Sequence, residues 1–100
     1  MRYSELQAAL AEFECFERIS MAQLKERYRQ LARRYHPDNG GGADPEKMRR
    51  VNEAYGILRD YFQEYRFDCS HAEFLEQYPE ERLREQFAFD SLWGGHDPDV

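Results

Sequence analysis

An all-α fold is what this sequence predicts, on three observations. Apolar residues recur at helical spacing through the long segments. Ser20 and Ser70 each stand directly before such a run, where helix-starting residues belong. Proline and glycine cluster between the runs, Gly56 being the one that falls in the middle of a run. The expected architecture is an antiparallel hairpin of a second and a third helix, crossed by a short first helix, with extra helices toward the C-terminus. A core over residues 1–66 and an acidic, aromatic helical extension over 67–100, packed on or beside it, are the expected parts.

The first helix is expected from Ser4, as N-cap, to about Phe13, with Leu6, Leu10 and Phe13 on one side. It is short and needs tertiary packing to persist. The second runs over residues 21–35. Ser20 caps it, Gln23 completes a capping box, and Ile19 can staple against Leu24. Leu24, Tyr28, Leu31 and Tyr35 repeat at steps of 4, 3 and 4 residues, one apolar stripe. Pro37 ends the helix, because the residue before a proline is pushed out of the α region.

Residues 36–45, with three consecutive glycines and two prolines, form a loop. Pro45 opens the third helix, which is expected to reach about Tyr65. Its apolar face carries Met48, Val51, Ala54, Tyr55, Leu58, Tyr61, Phe62 and Tyr65. Ser70 with Glu73 forms another capping box, followed by Phe74, Leu75 and Tyr78. Pro79 stops that turn and opens a last helix, with Leu83, Phe87 and Leu92 or Trp93 facing inward and Gly94-Gly95 ending it. The tail aromatics, Phe74, Tyr78, Phe87, Phe89 and Trp93, are expected to pack on the third helix. Exposed instead, they would form a patch that marks a partner.

One hundred residues make one domain with a modest core, and 15% aromatic content fills much of it with large side chains. No apolar run reaches the roughly 18 residues of a membrane span, and no charged leader precedes an apolar stretch, so neither span nor secretory signal is expected. Cys15 and Cys69 are too few for a disulfide framework and suit the reducing cytosol. Cys69-Ser70-His71 lacks the paired four-ligand spacing of structural zinc, so no metal and no cofactor is expected. The net charge of −6 is unevenly spread. Residues 21–50 carry eight Lys and Arg against four Asp and Glu, whereas residues 66–100 carry three against nine. A basic hairpin beside an acidic tail suits an acidic protein partner, or a tail that folds back, better than it suits phosphate.

His36-Pro37-Asp38 sits where the second helix meets the loop. The stretch before it contains Leu24-Lys25, Tyr28-Arg29-Gln30-Leu31-Ala32 and Tyr35. The stretch after it contains Asn52-Glu53-Ala54-Tyr55-Gly56-Ile57-Leu58. Together, from Ser20 to Leu58, these patterns resemble helix II, loop and helix III of a J-domain, the module that activates DnaK-type ATPase chaperones. The tripeptide alone is a weak signal; with both flanking patterns it is strong.

The resemblance implies that the chain is a co-chaperone and not an enzyme. A basic face of the second helix docks on an acidic surface of the chaperone's ATPase domain, and the His-Pro-Asp loop reaches the junction with the substrate-binding domain. His36, Pro37 and Asp38 then act as a docking tooth, and ATP is hydrolysed in the partner. At 100° per residue, Lys25, Arg29 and Arg33 share one flank of the helix, while Arg27 and Arg34 lie on the other. Tyr28 is core with a ring edge and hydroxyl available to the partner. Pro37 stiffens the loop entrance, and Asp38 either accepts local backbone hydrogen bonds or pairs with a cation of the chaperone.

Some positions depart from the family pattern. Leu10 and Phe13 stand where paired tyrosines before a Leu-Gly are usual. Gln30 and Asn39 occupy places where cations are common, which thins the basic surface. The short basic fourth helix is replaced by the acidic tail, and no Gly/Phe-rich linker or zinc pattern is present. A J-like assembly module without ATPase stimulation, shielded by its own acidic tail, is the first alternative. A helix-turn-helix nucleic-acid binder is disfavoured by the glycine loop and net charge. An enzyme is disfavoured because no nucleophile–base set appears and Gly40-Gly41-Gly42 lacks a P-loop ending.

Overall fold

The computed structural model of the chain describes residues 1–91. Among them are the helices α1 (Tyr3–Glu12), α2 (Met21–Tyr35), α3 (Pro45–Gln63), α4 (His71–Gln77) and α5 (Pro79–Ser91), a 3-10 segment Pro37–Gly42, and no strand. The fold class is all-α, as expected. The chain divides into two compact units, the first ending at Tyr65 and the second beginning at Arg66.

In the first unit α1 and α2 both pack on α3. The N-cap of α1 is Arg2, not Ser4. The Arg2 N–H donates to Glu5 Oε1 at 3.0 Å, and the Glu5 and Leu6 N–H groups return to the Arg2 carbonyl. A glutamate in the first turn therefore displaces the serine as the starting signal, helped by the positive end of the helix dipole. The other end closes in a Schellman pair, Glu14 N–H to Ala11 O at 3.0 Å and Cys15 N–H to Leu10 O at 2.9 Å. That geometry needs a left-handed residue, and Glu14 supplies it at φ 53°. Phe13 and the left-handed Glu14 thus terminate α1.

The expected bounds of α2 are those observed. The Gln23 N–H donates to Ser20 Oγ and the Ser20 N–H to Gln23 Oε1, so both halves of the capping box are made. Leu24 is completely buried, while Tyr28, Leu31 and Tyr35 are half-buried. Sequestering a leucine this way stabilises the fold by about 1.5–3 kcal/mol. Asp44 starts α3 by accepting the Lys47 N–H at 3.1 Å, with Pro45 in the first turn. Met48, Val51, Ala54 and Leu58 form its buried face, joined in the core by Leu6, Ala9, Phe13, Cys15 and Leu24. The helix ends at Gln63, short of Tyr65, where backbone bonding tightens to Tyr65 N–H on Phe62 O. Tyr61 and Tyr65 are exposed, so the apolar stripe of α3 runs past its buried part.

In the second unit Ser70 Oγ accepts the Glu73 N–H at 3.2 Å. The other half of the expected box is redirected: the Ser70 N–H goes to Asp68 Oδ1 at 3.0 Å. Those bonds from Ser70 hold the Asp68 carboxyl below its ordinary range. His71 Nε2 meets Glu85 Oε1 at 2.9 Å and Arg82 meets Glu76 at 3.2 Å, tying α5 to α4. Because Glu85 turns toward α4, Leu83 and Phe87, two residues either side, point away. They are exposed, not inward as expected from their spacing. The expectations for Leu92, Trp93 and Gly94-Gly95 lie outside the described residues, as does the side chain of Phe89.

Candidate docking surface at the end of α2

The surface is built on the antiparallel pairing of α2 with α3. Tyr28 stacks on Tyr55 with ring centroids 4.4 Å apart, and its hydroxyl donates to Asn52 Oδ1 at 2.7 Å. At the end of α2, Tyr35 lies beneath the Lys47 ammonium, 5.6 Å from its ring centroid. Lys47 and Arg50 both reach Glu12, whose carboxylate is largely buried. The three helices of the first unit are therefore joined by charge and aromatic contact just behind the loop.

His36 is the C-cap of α2 and the start of the turn. Its N–H donates to Ala32 O at 2.8 Å, and its carbonyl accepts the Asn39 N–H at 2.9 Å. The Asp38 N–H donates to His36 Nδ1 at 3.1 Å, which makes the neutral ring the Nε2–H tautomer. Of the two roles expected for the Asp38 carboxylate, a local backbone bond or a cation of the partner, the local one falls to another group. The His36 ring makes that bond, and the Asp38 side chain is 92% exposed. Pro37 begins the 3-10 turn with its fixed φ. The result is a stiff turn that carries an exposed carboxylate, 3.5 Å from His36 Nδ1, and one ring N–H donor.

Asn39 has a task of its own. Its Nδ2 donates to Arg34 O at 2.7 Å, satisfying a carbonyl that the end of α2 would leave open. Gly42 lies against that bond: a Cβ there would come within 2.7 Å of Asn39 Nδ2 and 3.0 Å of Arg34 O. Gly40 turns the chain at φ 56°, and the Asp44 N–H closes the loop on Tyr35 O at 3.0 Å.

Lys25, Arg29 and Arg33 are exposed on α2, together as expected. Between them stands Glu26, an acid within the basic flank. Its Oε1 meets Arg29 at 3.0 Å and its Oε2 meets Arg33 at 3.5 Å. The (i, i+3) spacing to Arg29 was the available signal. Lys25 makes no ion pair among the described residues. Arg27 does not belong to a charged surface at all. It is half-buried and donates to Phe13 O at 2.9 Å and Glu14 O at 3.0 Å, capping α1. Beside it Cys15 is buried, which pushes its thiol up despite the opposing pull of Arg27.

Among the described residues no group of three His, Cys, Asp or Glu side chains is arranged to hold a metal ion. Nor is any helix long and apolar enough to cross a membrane.

A basic helix that ends in a clamped His-Pro-Asp turn and is stacked antiparallel on its neighbour defines the class of module present. The DnaJ domain family model matches residues 14–68, more than half of the chain and all of α2, the loop and α3. The chain belongs to the DnaJ-domain family. It is 51% identical over 41 residues to a tetratricopeptide repeat and J domain-containing co-chaperone of Mycosarcoma maydis, covering 41% of this chain and 7% of that protein. It is 40% identical over 79 residues to a DnaJ protein homolog of Cucumis sativus, covering 79% of this chain and 16% of the relative. It is 31% identical over 74 residues to a chaperone protein DnaJ of Methanothermobacter thermautotrophicus, covering 73% of this chain and 20% of the relative. The chain thus spans at most a fifth of the length of these relatives. No solved structure gives a significant match.

Proposed function

We propose that this chain is a co-chaperone that binds a DnaK-type ATPase chaperone and stimulates its ATP hydrolysis. The observation that carries the reading is the His36–Asp38 turn, clamped at the end of a helix whose Lys25, Arg29 and Arg33 share one face. In this reading the three cations steer and orient the partner's acidic surface, which sets rate and geometry more than affinity. Tyr28 holds that face in register through Asn52 and Tyr55 and lends its edge to the contact. His36, Pro37 and Asp38 form the tooth that reaches the partner's moving parts, and the ATP chemistry stays in the partner. The two free thiols, Cys15 and Cys69, support a reducing, cytoplasmic setting. The second unit, with Phe74, Tyr78, Leu83 and Phe87 exposed, is the candidate contact for a client or assembly protein.

Single-turnover ATP hydrolysis by a DnaK-type chaperone tests this. The chain should accelerate it several-fold and His36→Gln should not, while keeping its helical circular dichroism. Acceleration by neither protein would reject ATPase stimulation and leave an assembly module. Equal acceleration by both would remove His36 from the contact.

A further inference from the structure

We infer that Glu26 is an internal competitor on the docking face, holding Arg29 and Arg33 until a partner carboxylate displaces it. This rests on the reading of that face as the chaperone contact. The geometry is specific: the two oxygens of one carboxylate reach two different guanidinium groups, at 3.0 Å and 3.5 Å. Glu26 thereby spans two helical turns and links two of the three cations the face presents. Arg29 meets it one turn along, and Arg33 meets it from two turns along.

The consequences are electrostatic. A partner carboxylate arriving at Arg29 or Arg33 meets a guanidinium already satisfied on one edge, next to a negative charge that repels it. Lys25 has no such restraint and is the natural first contact. All four side chains are exposed, so the ion pairs are weak enough to exchange in solution. Glu26 therefore does not block docking. It lowers the association rate and filters partners: a single carboxylate competes poorly, whereas a surface with several replaces Glu26 at both guanidiniums at once. Selectivity for a strongly acidic surface follows from repulsion of weaker ones.

Glu26→Gln keeps the length and hydrogen-bonding capacity of the side chain and removes its charge. Association would be measured from low to high salt with two probes, the DnaK-type chaperone and immobilised poly-glutamate. Glu64→Gln, at the C-cap of α3, controls for the change in net charge. Glu26→Gln should associate with both probes roughly three- to ten-fold faster at low salt, with a steeper salt dependence and rates that converge with wild type near 0.5 M. The gain should vanish when Arg29 and Arg33 are both glutamine. A gain on poly-glutamate but not on the chaperone would uphold the role of Glu26 and remove the chaperone as its partner. No gain on poly-glutamate, or an equal gain from Glu64→Gln, would overturn the inference.

Discussion

The Tyr28 hydroxyl donates to Asn52 Oδ1 at 2.7 Å while the Tyr28 ring stacks on Tyr55, so one side chain of α2 is held by two of α3. The hydrogen bond fixes the rotation of α2, and with it the direction in which Lys25, Arg29 and Arg33 face. Tyr28→Phe should cost about 0.5–1.5 kcal/mol, since Asn52 is exposed and water can replace the lost donor. Tyr28→Ala should cost about 3–5 kcal/mol by removing the stack as well. Urea unfolding of the two variants separates hydrogen bond from packing.

The loop contains a built-in control in adjacent glycines. Gly42→Ala must push a methyl into Asn39 and the Arg34 carbonyl, and the backbone oxygen cannot step aside cheaply. It should destabilise by about 1–3 kcal/mol. A Cβ on Gly41 meets nothing within 4 Å, so Gly41→Ala should stay within about 0.5 kcal/mol of wild type. Matching losses in the two variants would remove the Asn39 clamp from the account.

Arg27 and Glu14 act at the same helix end with opposite signs. Arg27→Met keeps the aliphatic stem and loses the charge-assisted bonds to Phe13 O and Glu14 O, at a cost of about 1–3 kcal/mol. Glu14→Gly removes the Cβ from a left-handed position and should stabilise by about 0.5–1 kcal/mol, because relief there exceeds the added chain entropy. Thermal unfolding should move down for the first and up for the second.

The thiols should report on folding. Cys69 is exposed and should react with iodoacetamide at close to the rate of a free thiol, whereas buried Cys15 should be at least about 100-fold slower because it reacts through opening of the core. Burial raises the Cys15 pKa, so the folded chain keeps this proton where the unfolded chain releases it. The resulting stability is fully present below about pH 8.5, an unfolded thiol's ordinary range, and is lost as pH rises through the higher folded value. Cys15→Ala should flatten that alkaline decline in stability.

Local chemistry made much of the molecule legible beforehand. Ser20, Gln23 and Pro37 bound α2 through groups at most four residues from the ends they define, so its limits could be read directly. The antiparallel pairing followed from the short loop that joins the two helices, and the grouping of Lys25, Arg29 and Arg33 from helical periodicity. The start of α1 was misread because Ser4 and Arg2 compete within one turn, and Glu5 decides between them. Leu83 and Phe87 were misplaced because spacing defines a face but not which way it points. The His71–Glu85 contact turns that face outward.

By itself the sequence determined the helices, the stiff His36-Pro37-Asp38 turn and the charge of α2, because each depends on residues within a turn or two of one another. Only the tertiary structure decided the tasks of side chains that reach farther. Arg27 leaves the charged flank to cap α1, 13 and 14 residues earlier in the chain, and Lys47 crosses 35 positions to meet Glu12. A long cationic side chain takes the nearest unsatisfied oxygen in space, and which oxygen is nearest is settled only when the helices pack.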